Sequence, residues 1–175
     1  MNLKDYIRTI PDFPKKGVMF RDVTTLFNNH LAFGEAINQF DSHWSDSGIT
    51  SIAGIDARGF IIGGALAYCM KKPFVALRKK GKLPHETSSQ EYDLEYGKAS
   101  LEIHKDAVAA GDRVLIIDDL IATGGTAIAG VNLIRSLDGE VAGCTFLIDL
   151  PVLSGTIKLE SMGIKVKSLL SFDGH

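Results

Sequence analysis

The sequence predicts an α/β fold with a mainly parallel central sheet flanked by helices, and three observations carry that prediction. Val114, Leu115, Ile116 and Ile117 form an apolar run without alternation, the pattern of a strand buried on both faces. Two carboxylates, Asp118 and Asp119, follow where such a strand is expected to end, and then a loop of small residues, Ala122, Thr123, Gly124, Gly125 and Thr126. Ala127, Val131, Ile134 and Leu137 then recur at helical spacing. Strand, polar tip, glycine loop and helix, in that order, build a ligand site at the carboxyl end of a parallel strand.

The chain has 175 residues, 45% hydrophobic and 23% charged, which suits one domain over residues 1–175 with a substantial core. A net charge of −2 gives no global field for nucleic acid or a membrane surface, so an anionic substrate must be held by local groups. Residues 1–10 lack the apolar core of a signal peptide, and no apolar run reaches membrane-spanning length. Cys69 and Cys144 both lie in apolar segments and are expected to be buried free thiols in a reducing cytoplasm.

Taken in order, Leu3, Tyr6, Ile7 and Ile10 predict a short amphipathic opening helix, ended by Pro11 and Pro14. Residues 17–22 are a short apolar piece bounded by charge. Phe33, Ile37, Phe40 and Trp44 mark a second helix, with Asn28 or Asn29 as its cap. Residues 51–55 read as a strand ending at Asp56, and Ile61, Ala65, Leu66 and Cys69 give the next helix. This repeats the strand, tip and helix design, so Arg58 would share the crevice with Asp118; it is either a phosphate fork or a surface cap.

Residues 73–77 are the next strand, running into Arg78, Lys79, Lys80, Gly81 and Lys82. Such a cationic run is either a solvated face or a seat for a diphosphate. Residues 83–92 are polar and without helical period, and are expected to be a long mobile loop, with residues 92–104 the second arm of a hairpin over the crevice. Ala99, Leu101 and Ile103 alternate with polar residues as in a half-exposed strand. Residues 140–148 and 164–170 predict two more strands, with a short helix over 154–162 closed by Gly163 between them.

No Lys follows Gly124 and Gly125, so the loop is not a Walker loop, nor is it Gly-x-Gly-x-x-Gly. Its amides, the helix N-terminus and the hydroxyls of Thr123 and Thr126 suit a phosphate monoester. The aspartates lie one loop-width away, where sugar hydroxyls would be. Phosphate plus vicinal diol describes a ribose 5-phosphate. This stretch resembles the 5-phosphoribosyl-1-pyrophosphate (PRPP) signature of type I phosphoribosyltransferases.

From about Pro11 onward the chain is similar to the adenine phosphoribosyltransferase family. The pieces that carry the resemblance are Phe13-Pro14 with Gly17 to Asp22, Ala53 to Phe60, Arg78 to Pro84, and Tyr92 to Gly97. The resemblance implies the type I phosphoribosyltransferase fold, with a small N-terminal hood and a mobile hairpin loop over the site. It implies the reaction adenine + PRPP → AMP + pyrophosphate in purine salvage. Asp118 and Asp119 would hold the ribose hydroxyls, and Ala122, Thr123, Gly124, Gly125 and Thr126 the 5-phosphate. Arg58, Lys79 and Lys82 would meet the pyrophosphate. Arg78 would reach the neighbouring subunit's site, implying a homodimer. Adenine would lie against Phe20 and Leu150, read by the backbone of Met19 and Arg21; from the residues alone, Phe20 is either core or platform. Glu95 would handle the purine proton, although by itself it reads as a solvated strand carboxylate. Mg²⁺ would be held mainly by substrate oxygens, with no direct protein ligand. Two rivals remain: a transferase for another base, and a PRPP-sensing regulator, which would need a nucleic-acid-binding part not visible in the sequence.

Overall fold

The computed structural model describes residues 1–94 and 97–174; the predicted acid–base residue Glu95 falls outside them. The chain opens with a single 3-10 turn, Leu3–Tyr6, capped by the side chain of Asn2. The predicted opening helix goes no further. Ile10 instead belongs to strand β1, Arg8–Pro11, which pairs antiparallel with β2, Met19–Asp22. Pairing across a two-stranded sheet wins here over a helical spacing too short to nucleate a helix. Helix α1 is one turn, Thr24–Phe27, and α2 runs His30–Trp44. Asn29 is the cap of α2, its Oδ1 accepting from the Ala32 N–H at 3.0 Å.

Strand β3 is Ser51–Ile55, followed by α3, Arg58–Met70, and β4, Phe74–Lys79. Helix α3 buries Ile62, Gly63, Leu66 and Ala67, so the predicted face is rotated: Ile61 and Cys69 are exposed. Cys69 is therefore not the buried thiol expected of it, whereas Cys144 is, and burial pushes its thiol up to about 12. The polar stretch expected to be a loop is largely strand: β5, Thr87–Asp93, pairs antiparallel with β6, Lys98–His104. Its polar composition matches its position at the sheet edge, with alternate residues exposed.

Strand β7 spans Arg113–Ile121 and passes through both aspartates instead of ending before them; Asp118 is opposite Phe146 and Ile121 opposite Asp149. Then come α4, Gly125–Ser136, β8, Glu140–Asp149, α5, Gly155–Ser161, and β9, Val166–Ser171. The seven-stranded sheet has the order β5-β6-β4-β3-β7-β8-β9, parallel from β4 to β9. Along β7, Leu115 and Ile117 pack into the core beneath α2 and α3, while Val114 and Ile116 pack into the core beneath α4. Burial on both faces is why this run shows no alternation. The parallel strands β3, β7 and β8 bring their carboxyl ends, Ile55, Ile121 and Asp149, to one edge of the sheet, where the crevice lies. The β1–β2 sheet stands beside that edge as the predicted hood.

Candidate active site

The crevice has two lobes. The first, a cavity of about 240 Å³, runs from Arg58 over Asp118 and Asp119 to residues 122–126, and is closed by Phe146. Gly124, with φ of +84°, turns the chain from β7 into the first turn of α4. The free N–H groups at the start of α4 face this cavity with the positive end of the helix dipole behind them. An anion of phosphate size is the ligand such a loop accepts.

The loop is braced from behind. The Gly155 N–H donates to the Ala122 carbonyl at 3.0 Å, and Lys158 Nζ donates to the Thr123 carbonyl at 3.0 Å. A Cβ on Gly155 would sit 2.4 Å from that Ala122 oxygen. The first turn of α5 therefore touches the loop backbone to backbone. Gly155 and Lys158 escaped sequence reasoning because the contact joins segments some 30 residues apart (155 against 122, 158 against 123) with no local pattern.

Arg58 Nε lies 2.6 Å from Asp119 Oδ2, whose side chain is only 8% exposed. Asp118 is partly open to the cavity floor, and its Oδ1 accepts from the Asp119 N–H at 2.8 Å. Burial, followed by repulsion from the Asp119 carboxylate, raises the Asp118 carboxyl well above the usual carboxylate range; the Asp119 N–H and Arg58 offset part of this. Asp119 is neutralised by a cation of its own site, and Asp118 lacks a full-strength partner.

The cationic run collects around Asp56, at the tip of β3. Lys82 Nζ is 3.5 Å from Asp56 Oδ2, Arg78 Nε 3.7 Å, and the Lys79 N–H donates to the same oxygen at 3.3 Å. The Gly81 N–H is held by Glu102 Oε2 at 3.1 Å. Arg78, Lys79 and Lys82 line neither lobe, but Asp56 anchors them two residues from Arg58. Asp56 is a site residue that sequence reasoning passed over; its one signal was its place at a strand tip ahead of Arg58.

The second lobe, about 690 Å³, is formed by the hood. Met19, Phe20, Arg21, Leu150 and Leu153 line it, and it shares Arg58, Leu120, Ala122 and Thr123 with the first lobe. Phe20 packs edge-on against Phe13 with ring centroids 5.1 Å apart, and Arg58 stands 5.8 Å from the Phe20 centroid. Phe20 is thus a wall of the crevice. The two hood strands are joined by Arg8, whose Nη2 donates to Asp22 Oδ2 at 2.6 Å. Hydrogen bonds from Thr24 and then from Arg8 hold the Asp22 carboxyl down at about 2. An anion-binding loop with paired acids and a flat apolar chamber thus meet at Arg58, Ala122 and Thr123.

Residues 23–164 match the family model described as "Phosphoribosyl transferase domain". The adenine phosphoribosyltransferase of Dinoroseobacter shibae is 58% identical over 172 residues, covering 98% of this chain and 96% of that protein. The crystal structure of the adenine phosphoribosyltransferase from Thermoanaerobacter pseudethanolicus superposes with a TM-score of 0.93 at 48% identity, covering 97% of this chain and 98% of that one. The enzyme from Saccharomyces cerevisiae, complexed with an imino-altritol bisphosphate and adenine, gives a TM-score of 0.90 at 35% identity, covering 96% of each chain.

The Asp118 carboxyl has a pH signature. Its folded pKa lies above the unfolded value of 3.8, so its ionisation costs folded stability as pH rises from near 4 toward the folded value. Asp118→Asn is expected to melt higher than the wild type at pH 7, and the gain should vanish below pH 4. At this chain length, about 1 kcal/mol corresponds to about 2–4 °C. Thermal unfolding of both proteins across that range checks it; a wild type that melts higher at pH 7 would refute the burial cost.

Proposed function

The chain belongs to the phosphoribosyltransferase family, as one of its adenine phosphoribosyltransferases, and we propose from this how its residues work. It transfers the 5-phosphoribosyl group of PRPP to adenine, giving AMP and pyrophosphate, a step of purine salvage. The observation that carries the assignment to residues is the meeting of the two lobes at Arg58, Ala122 and Thr123. A sugar phosphate in the first lobe presents its anomeric carbon to a planar base in the second.

The amides of residues 122–126, with the hydroxyls of Thr123 and Thr126, take the 5-phosphate. Asp118 and Asp119 accept hydrogen bonds from the ribose hydroxyls. Arg58, Lys79 and Lys82 take the pyrophosphate, so that PRPP binding exchanges the Arg58–Asp119 and Lys82–Asp56 pairs for ligand contacts. Adenine lies between Phe20 and Leu150, with backbone groups of Met19 and Arg21 reading its edge. In the reaction the bond from C1′ to the pyrophosphate oxygen breaks and its electron pair leaves with pyrophosphate, while N9 of adenine forms the new bond. The transition state is oxocarbenium-like, as in glycoside hydrolysis, and alignment with charge stabilisation supplies most of the catalysis. Glu95 takes the N9 proton.

The donor set fits Mg²⁺. The ion would draw mainly on PRPP oxygens and water, with the carboxylate oxygens of Asp118 and Asp119 nearby. Bound there, it supplies charge neutralisation for the departing pyrophosphate. The protein acts as a homodimer through the exposed side of α3 and β4. Ile61, Tyr68 and Phe74 are 49%, 89% and 38% exposed there, and Ile61 and Tyr68 lie on one helical face two turns apart. Arg78, near the end of β4, would leave Asp56 to reach the neighbouring subunit's pyrophosphate. Among the described residues no helix is long and apolar enough to cross a membrane.

Three outcomes are expected. With PRPP and Mg²⁺, adenine gives AMP, while hypoxanthine, with its donors and acceptors swapped, reacts about a thousandfold or more slowly; chromatography of the nucleotides decides it, and equal turnover of hypoxanthine rejects adenine. Glu95→Gln lowers kcat by about 10²–10⁴-fold with the KM for PRPP within about twofold; steady-state kinetics showing an unchanged kcat, where chemistry limits, removes Glu95 from proton transfer. Ile61→Glu combined with Tyr68→Glu gives a monomer in sedimentation velocity; a persisting dimer moves the interface elsewhere.

A further inference from the structure

The hood stands outside the main sheet. Its strands are a separate two-stranded sheet, and seven of their eight residues are at least partly exposed. Arg8–Asp22 and Arg21–Thr9 join β1 to β2, and so fix the hood only to itself. A tie to the main sheet comes from the residue after β9. The Arg21 guanidinium lies 4.4 Å from the Phe172 ring centroid, and Arg21 Nη2 donates to the Asp173 carbonyl at 3.4 Å. Lys4, in the opening 3-10 turn, places Nζ 5.1 Å from the same ring. The Phe172 N–H donates to the Asp149 carbonyl at 3.1 Å, next to Leu150, which forms the opposite wall of the hood lobe. Arg21 Nε is buried with no hydrogen-bond partner, so the ring face supplies part of what holds this guanidinium.

Arg21 and Phe172 both lie outside residues 23–164, the part matching the general family model. The ribose-phosphate machinery lies inside it. A contact that sets base choice is expected outside the part common to transferases of different bases.

We infer that Phe172 is a positioning residue for the base: its ring clamps Arg21 and so fixes the strand Met19–Asp22 against Leu150 across the hood lobe. The inference rests on that lobe being the adenine site. Phe172 touches no reacting atom. Its loss loosens the strand that reads the base and leaves the PRPP lobe intact.

The test compares wild type, Phe172→Leu and Phe172→Tyr in steady-state kinetics with adenine and PRPP varied separately. Leucine keeps the apolar packing but has no ring face; tyrosine keeps the face. The KM for adenine is expected to rise about 5–10-fold in F172L, with the KM for PRPP within about twofold, and to return near wild type in F172Y. A KM for adenine in F172L equal to wild type overturns the inference, as does a parallel rise in both KM values, which would mark a general loosening. Should F172L lose its fold, as thermal unfolding would show, the ring serves stability and the inference is likewise overturned. Wild-type protein that makes no AMP in the same assay would instead overturn the assignment of the lobe itself.

Discussion

The site depends on how closely the first turn of α3 approaches the end of β7. A Cβ on Gly59 would lie 2.8 Å from the Ile117 carbonyl and 3.0 Å from Asp118 Oδ1, so a side chain there would force the two elements apart. With glycine, helix and strand touch, and Arg58, one residue earlier, reaches Asp119 at 2.6 Å. That approach puts a cation from one strand-helix unit beside the carboxylates of the next. The adjacency of β3 and β7 in the sheet supplies the rest.

The charges of the crevice are balanced largely within it. Asp119 has Arg58, and Asp56 has Lys82 and Arg78, so most charges that would face a ligand already face one another. Such pairs limit the cost of holding like charges together at a buried strand end. Asp118 is the exception, and it is there that folding and ligand chemistry conflict. A carboxylate at this depth costs the fold stability, a cost the proposed contact with a sugar hydroxyl would offset.

Much of this was legible in the sequence, for physical reasons that vary by segment. The β7 run and the loop after it were legible because burial on both faces and a phosphate-sized turn each demand an unusual local composition. The family resemblance carried the proposed base pocket further than the residues could, since Phe20 alone reads more readily as core than as a platform. The passage of β7 through its two aspartates was hidden, because only pairing with β8 keeps polar residues in a strand there. Strand β1 was hidden because Leu3, Tyr6, Ile7 and Ile10 fit a helical period, and only the partner strand decides against it. The exposed face of α3 was misjudged because that helix is apolar nearly all round. Gly155, Lys158 and Phe172 left no local trace, since their partners are distant in the chain.

The backbone contact between Gly155 and the loop at Ala122 has a meaning for affinity. A loop held from behind by two hydrogen bonds, and by a helix turn with no room to retreat, has given up its conformational freedom before any ligand arrives. Association then needs little additional ordering, and more of the contact energy is retained as affinity. The amides stand ready as a rigid mould, and the phosphate proposed for them would find its shape already cast.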